Sequence, residues 1–439
     1  MPPSRSCEVP GSALLRRAFR DEEGKTMAMA STPPDLDSLR DRPSSPEIRV
    51  LRPRRAAPAD AVRPTRAEVN LAALRHNLRV LQRHAGEARV WPVLKADAYG
   101  HGAPAVARTL ERAGADGFCV ALLEEAIELR EAGITSPILV MSGAYGGGHD
   151  EVVQRGLVPV VYDRGQLEEL ARAVRQLGAA APHAVHLKID TGMARLGVPL
   201  ADLAPFARSL HEFPELRVDG LMTHLACADA ATPEETAHQL RLFDEATATL
   251  GRHGVRARVR HAANSAALLR GESSLDAVRP GIAIFGVSPV AEGEREPLSS
   301  ELRQAIRVRT EIVSIRELEA GKPVGYGALH RTSRPSRIAT VPIGYADGLS
   351  RKLTNRGHML VRGVRAPIVG AVSMDMTMLD VTDVPGAALR DEVIVTGAQD
   401  GPHGRDHIGA HELAAHADTI PWEILTSISR RVPRFYREP

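Results

Sequence analysis

The sequence predicts an α/β protein, a parallel (β/α)8 barrel of the TIM type followed by a second, mostly β domain. Two observations carry that expectation. Between residues 67 and 302 short apolar runs alternate about eight times with longer amphipathic stretches, the rhythm of parallel β/α units, and eight units favour a closed barrel over an open doubly wound sheet. After Leu302 the pattern turns strand-rich, with Gly, Asp and Pro turns between the runs. The expected division is a disordered extension over 1–63, the barrel over 64–302 and the β-rich domain over 303–439.

Up to about Arg63 the chain is rich in Pro, Arg, Ser and Asp, as in Asp41-Arg42-Pro43-Ser44-Ser45-Pro46. Such a stretch cannot bury enough apolar surface to offset the entropy of ordering it. It is not expected to be a secretory leader, because Arg16 and Arg17 cut short the apolar patch Ala13-Leu14-Leu15. Met1, Met27 and Met29 remain alternative starts. From Ala67 onward the pattern changes. Asn70 is placed to cap a helix in which Leu71, Leu74, Leu78 and Leu81 share one face. Residues 90–94 then read as a strand, 103–113 as helix, 117–122 as strand and 124–132 as helix. Further strands are expected over 138–141, 158–161, 184–189 and 218–222, with weaker signals over 255–259 and 275–278. In the second domain strands are expected over 305–315, 337–342, 359–364, 369–374, 376–381 and 392–395, with a helix around 412–415.

Composition narrows the function. The 56 Lys and Arg against 54 Asp and Glu leave a formal charge of +2, without the concentrated positive field that tracking nucleic acid requires. Aromatic residues make up only 3%, so the core must be built from Leu, Val, Ile and Ala. Cys7, Cys119 and Cys227 are widely spaced and lack a CxxC, which fits a reducing compartment and argues against a disulfide framework or a zinc knuckle. No uncharged apolar run approaches the ~18 residues needed to span a bilayer, so no membrane partner is expected.

In a β/α barrel, reactive side chains gather at the carboxyl ends of the strands. Lys95 stands at such an end, in Val93-Leu94-Lys95-Ala96-Asp97-Ala98-Tyr99-Gly100-His101-Gly102. A lysine after a strand is by itself an ordinary edge charge, so its weight depends on company. Lys188-Ile189-Asp190-Thr191-Gly192-Met193-Ala194-Arg195 ends another strand with a cation, and Thr223-His224 ends the next with an imidazole. His261-Ala262-Ala263-Asn264-Ser265 and Val278-Arg279-Pro280-Gly281-Ile282 follow. A Ser hydroxyl with backbone N–H groups after a Gly makes a phosphate cradle, which late barrel loops often carry. A lysine, a phosphate cradle and arginines at strand ends are what pyridoxal 5'-phosphate chemistry requires.

On these motifs the chain, from about Arg66 to Arg437, resembles the alanine racemases, pyridoxal phosphate enzymes of fold type III. The resemblance implies that Lys95 carries the cofactor. It gives Tyr99, Ser265, the Gly281 and Ile282 amides and the C-terminal aromatic, here Trp422, to the phosphate. His224 would stack on the pyridine, and Arg195 would reach the cofactor's phenolic oxygen and the substrate carboxylate. Lys188 matches a position often carbamylated to hold that arginine, though plain lysine is the default from sequence. His261 and Asn264 would form a supporting layer. Tyr345, in Gly344-Tyr345-Ala346-Asp347, and the Met374 amide, in Ser373-Met374-Asp375, would line the mouth and bind the carboxylate. The implied activity is the interconversion of L- and D-alanine in the cytoplasm, supplying D-alanine for peptidoglycan precursors.

Arg279 bears on the reaction type. A carboxylate against the pyridine nitrogen keeps it protonated, whereas a guanidinium stays charged and only donates. The nitrogen then stays unprotonated, the ring is a weaker electron sink, and simple proton return is favoured over transamination. Inverting a stereocentre needs an acid/base on each face. Lys95 serves one; the other resembles the family's tyrosine, here Tyr326 in Gly325-Tyr326-Gly327-Ala328. In the family the partner subunit delivers it, so the resemblance implies a homodimer with shared sites. A phenol of ordinary pKa, ~10, needs cations such as Arg279 nearby to act as a base at neutral pH.

Three positions depart from the commonest family pattern: Ala371 for arginine, Phe285 for tyrosine, and Trp422 for the gate-lining tyrosine. An indole donates but does not accept and is larger, so Trp422 leaves open a broad-spectrum amino acid racemase that takes serine or larger side chains. A non-catalytic pyridoxal phosphate-binding barrel would lack the β domain and Tyr326. A fold type III decarboxylase would set a carboxylate where Arg279 stands. No metal site is expected. His411 and His416 lie five apart, which on a helix points them away from each other, and His403 and His407 read as a solvated turn. Gly146-Gly147-Gly148 lacks the Lys-Ser/Thr of a P-loop.

Overall fold

A computed structural model describes residues 62–179, 182–272, 274–290 and 297–438. Apart from Val62 and Arg63, the N-terminal extension read from the sequence lies outside the described residues.

The strand Arg66–Asn70 ends where Asn70 Oδ1 accepts from Ala73 N at 2.9 Å, capping the helix Leu71–Ala85 as its sequence predicts. Leu74, Leu78 and Leu81 of that helix are fully buried. Eight parallel strands then follow one another: Arg89–Val90, Phe118–Val120, Ile138–Val140, Val158–Val161, His183–Asp190, Leu216–Met222, Val259–His261 and Ala277–Val278. The last pairs with the first through Ala277↔Arg89 and Val278↔Val90, and a bridge between Val93 and Cys119 joins the first to the second, so the ring closes into the expected barrel. The strands Phe118–Val120, Ile138–Val140 and Ala277–Val278 are buried at every position, as a sheet covered on both faces requires. The helices Ala103–Arg112, Leu123–Glu131, Arg164–Leu177 and Glu234–Arg252 lie among the crossovers.

The second sheet runs in the order Val364–Pro367, His358–Val361, Glu392–Gly401, Ile306–Glu311, Arg66–Asn70 and Arg434–Arg437, with Gly404–Ile408 also paired to Glu392–Gly401. The strand Arg66–Asn70 precedes the barrel in sequence yet pairs antiparallel with Ile306–Glu311 and parallel with Arg434–Arg437. Its five residues carry only two buried aliphatics, Ala67 and Val69, too short an alternation to read as a strand. A smaller antiparallel sheet joins Ser314–Leu318, Ser336–Val341 and Thr377–Asp380.

Three strand expectations are corrected. Residues 359–364 span a hairpin, with the strands His358–Val361 and Val364–Pro367 joined by a turn in which Arg362 and Gly363 have φ of 54° and 86°. Residues 305–315 form two strands, broken where Ile312 and Val313 turn from one sheet to the other. Residues 369–374 are not a strand although Val369, Ala371 and Val372 are buried. Gly370 sits at φ +74 where a Cβ would meet the Val324 carbonyl oxygen at 2.6 Å, and Ser373 N donates to Met376 O at 3.0 Å in a tight turn, so no ladder forms. Among the described residues no helix is long and apolar enough to cross a membrane.

Candidate active site

The loop after the first barrel strand is unusual in its backbone. Ala96, Asp97, Ala98 and Tyr99 all have φ between 52° and 55°, a left-handed turn that costs non-glycine residues roughly 1–2 kcal/mol each. Such strain persists only where the surroundings over-determine it. Glu125 supplies much of that restraint. Its Oε1 accepts from Ala96 N at 2.6 Å, while Oε2 accepts from Ala121 N and Leu122 N at the start of the neighbouring helix. Asp97 Oδ1 accepts from Ala103 N at 2.8 Å, and His101 Nδ1 lies within 3.0 Å of the Ala98 and Tyr99 carbonyls. His101 is fully buried, stacked on Phe285 at 4.3 Å, and held neutral by burial with its pKa pushed down to about 4.

This turn presents Lys95 and Tyr99 to a cavity of about 220 Å3 at the carboxyl end of the barrel. His224, Arg279 and Trp422 line it from three further elements, and Asn264, Ser265, Gly281 and Ile282 form one corner. A larger cavity of about 510 Å3 lies against residues 286–288 and 407–412, and none of the residues selected from the sequence as site residues lines it. Lys95 opens onto the smaller cavity. Desolvation and then the charge of Arg195 lower its pKa, opposed by Glu125. Lys188 is 4% exposed, and burial, Arg195 and Arg279 bring its pKa down to about 8. His224 is pushed down to about 3 by burial, followed by Arg279, Lys188, Arg195 and Lys95, so its imidazole is neutral.

Arg279 is 2% exposed and has no acidic partner among the described residues. One terminal nitrogen bonds His261 Nδ1 at 2.6 Å; the other donates to the carbonyls of Thr223 at 2.9 Å and Ala262 at 3.1 Å. Burial lowers its pKa only to about 10, so the guanidinium stays charged at neutral pH. Arg279 is also part of the cavity wall.

The corner opposite is built for an anion. Asn264 caps the helix Ser265–Leu269 through Ala266 N and Ala267 N. Ser265 Oγ accepts from Gly281 N at 2.8 Å and Ala283 N at 3.3 Å, so the Gly281 amide expected to meet a phosphate points at the serine hydroxyl here. A Cβ at Gly281 would stand 2.3 Å from the Tyr99 hydroxyl, so only glycine allows this approach. A pyridine ring bearing a phosphate fits the donor set. The hydroxyls of Tyr99 and Ser265 would meet its anion, and the buried Arg279 cation would meet its ring nitrogen.

The other expected residues lie elsewhere in the single chain. Tyr326 is 76% exposed and is not part of the cavity wall, nor are Tyr345 and Met374, at 42% and 52% exposure. Tyr345 N donates to Ser373 O and Ala346 N to Met374 O, each at 3.0 Å, which sets Tyr345 and Met374 side by side. Arg195 is exposed, near enough to Lys95, Lys188 and His224 for its charge to reach all three.

Sequence reasoning missed Glu125, His186 and Gln239. His186 Nδ1 lies 2.8 Å from His261 Nε2, and the signal was its place two residues before Lys188 on the same inward face of a strand. Gln239 is fully buried and laces two strand ends together through Thr191 Oγ1, the His224 carbonyl and Ala226 N. Nothing local in the sequence marks it, because its partners come from other loops.

Comparison with known proteins follows the same outline. Residues 69–289 match the family described as alanine racemase, N-terminal domain, and residues 305–436 the alanine racemase C-terminal domain. An alanine racemase of Sorangium cellulosum (strain So ce56) is 60% identical over 385 residues, covering 86% of this chain and 100% of that one. The alanine racemase structure from Streptomyces coelicolor A3(2) superposes with a TM-score of 0.80 at 37% identity, covering 87% of this chain and 100% of the other. That of Bartonella henselae, described with covalently bound pyridoxal phosphate, gives a TM-score of 0.75 at 30% identity, covering 85% and 99%.

Proposed function

The chain belongs to the alanine racemase family, and from that premise we propose that it interconverts L-alanine and D-alanine with pyridoxal 5'-phosphate held in the barrel cavity. The observation that carries the reading is Arg279, a buried charged guanidinium without an acidic partner, aimed into the same cavity as Lys95. When bound, the cofactor supplies a conjugated system that acidifies the substrate Cα–H.

In this reading Lys95 anchors the cofactor and serves as acid/base on one face. Its lowered pKa enlarges the neutral fraction able to take a proton near neutrality. Arg279 donates to the ring nitrogen and, being unable to give up its proton, leaves that nitrogen unprotonated. Tyr99, Ser265, Gly281 and Ile282 hold the phosphate with Trp422 beside them, neutral His224 packs on the ring, and Arg195 binds the substrate carboxylate; Lys188 would hold that guanidinium once carbamylated, because a plain ammonium repels it. His261 and Asn264 support Arg279 and the phosphate corner.

Tyr326 serves the second face from a partner subunit, with Tyr345 and Met374 at the mouth. Their exposure in the single chain supports a homodimer that buries them. The division into a barrel over 64–302 and a β domain over 303–439, crossed by the strand Arg66–Asn70, belongs to the same proposal. So do a cytoplasmic setting and a role in supplying D-alanine to peptidoglycan precursors.

The test is racemisation of a panel of L-amino acids by the purified protein, followed by loss of optical rotation alongside the visible absorption of the bound cofactor. Alanine turnover with one cofactor per chain is expected; absorption without turnover would leave a binding barrel instead. Trp422 favours the one competing reading, a racemase of broader side-chain tolerance, and turnover of serine at a rate near that of alanine would select it.

A further inference from the structure

Away from the catalytic cavity, three metal-ligating side chains meet on the β domain. His358 opens the strand His358–Val361, while Glu412 and His416 lie one turn apart on the helix Ala410–Ala417 packed beside it. One ligand atom from each lies within 4.8 Å of the other two. Tetrahedral ligands around a zinc ion stand about 3.3 Å apart at ordinary bond lengths, so a small rotation of half-buried side chains closes the set. The rings of His358 and His416 meet edge to face with centroids 6.3 Å apart, and His416 lies against Gly357.

We propose that His358, Glu412 and His416 bind one divalent transition-metal ion, zinc in preference to magnesium or calcium, with water completing the shell. Two imidazoles and one carboxylate are a ligand set of borderline softness, which suits zinc, cobalt or nickel and not the oxygen-seeking alkaline earths. The charge is suitable as well. Arg365 pairs with Asp406 at 2.7 Å and with both oxygens of Glu412, so these three charged groups carry one net negative charge toward the imidazoles. Each carboxylate oxygen has a lone pair beyond the one given to Arg365, and Glu412 Oε1 is 4.0 Å from His416 Nε2. His411, whose spacing from His416 rules out a shared face, turns to the Ser288 carbonyl at 2.9 Å.

The position suggests what the ion does. The helix Ala410–Ala417 leads through three residues to the helix Pro421–Ser427, which carries Trp422 to the cavity wall and sets the Leu425 carbonyl against Gly100. An ion between helix and sheet pins the base of that wall. Its role is stabilising, and no part of the catalytic assignment depends on it.

Cobalt is the probe. Full-length holoenzyme, free of any histidine tag and stripped with chelator, is titrated with Co2+ and followed by its ligand-field absorption, then challenged with Zn2+ or Mg2+. We expect one Co2+ per chain, displaced by Zn2+ and not by Mg2+, and a Zn2+-dependent rise in Tm. His358→Ala and His416→Ala should each weaken binding at least about tenfold, and His403→Ala should leave it unchanged. His416→Gln, close in size, serves if the alanine variants fold poorly, with circular dichroism as the check. No cobalt absorption at about 1 mM metal, a very weak limit, or absorption that survives loss of both histidines, overturns the proposal.

Discussion

Arg279 and His261 are joined at 2.6 Å, and the direction of that bond fixes the state of the imidazole. A guanidinium only donates, so His261 accepts at Nδ1, and its proton stays on Nε2, which donates a hydrogen bond to His186 Nδ1 at 2.8 Å. Burial and then Arg279 hold the His261 pKa well below its ordinary value, and burial brings His186 down to about 4. Both rings pack against Trp91, at 5.3 Å and 5.5 Å. A neutral relay thus aims a charged group at the cavity without adding a second charge.

If that relay positions Arg279, His261→Leu removes its acceptor and should cost about 1–3 kcal/mol of stability. Cofactor affinity and kcat/KM should fall together by at least about tenfold. His261→Gln, which retains an acceptor, should recover part of both. Equilibrium unfolding and titration with pyridoxal phosphate measure the two effects separately from turnover.

At Gly281 the approach of the Tyr99 hydroxyl leaves no room for a methyl group. Gly281→Ala should displace the tyrosine and cost about 1–3 kcal/mol in overpacking. The expected outcome is a cofactor dissociation constant raised at least about tenfold, with the Ser265 side of the cradle intact. Unchanged affinity would remove Tyr99 and Gly281 from the phosphate site.

Lys95 offers a test by sign. Arg195 lowers its pKa and Glu125 raises it. A neutral amine captures the cofactor, so capture by the apoprotein should rise with pH through the Lys95 pKa. Arg195→Gln should move that rise to higher pH and Glu125→Gln to lower pH. Stopped-flow capture of added pyridoxal phosphate at a series of pH values reads both, and shifts of the same sign would contradict the electrostatic picture. Glu125→Gln should also destabilise the left-handed turn, by about 1 kcal/mol for the weakened cap.

Trp422 lines the cavity beside Tyr99 and Ser265. Trp422→Tyr should change the ratio of serine to alanine turnover, since it changes pocket volume and adds an acceptor. Equal alanine turnover with unchanged serine activity in both forms would show that the indole has no part in side-chain selection.

Much of this was legible in the sequence because it is local. The Asn70 cap, the aliphatic strand runs and the residues at the strand ends each lie within a few positions of the feature they create. The strand Arg66–Asn70 was not legible, because its partners at 306–311 and 434–437 are remote and its own alternation is too short. Gln239 and Glu125 were missed for the same reason: each acts on backbone contributed by another segment. Residues 369–374 misled because burial without a ladder has the same composition as a buried strand. The cluster of His358 with Glu412 and His416 combines a strand and a helix more than fifty residues apart, which no spacing rule detects.

The claim on which the mechanism rests is that Lys95 of one chain works with the partner subunit's Tyr326. Co-expression of Lys95→Ala chains with Tyr326→Phe chains, each inactive alone, tests it most directly. In a mixed dimer with shared sites one cavity holds both defects and the other holds none, so a statistical mixture should recover about one quarter of wild-type racemase activity. If both groups act within a single chain, every cavity carries one defect, and the mixture would stay as inactive as its parents.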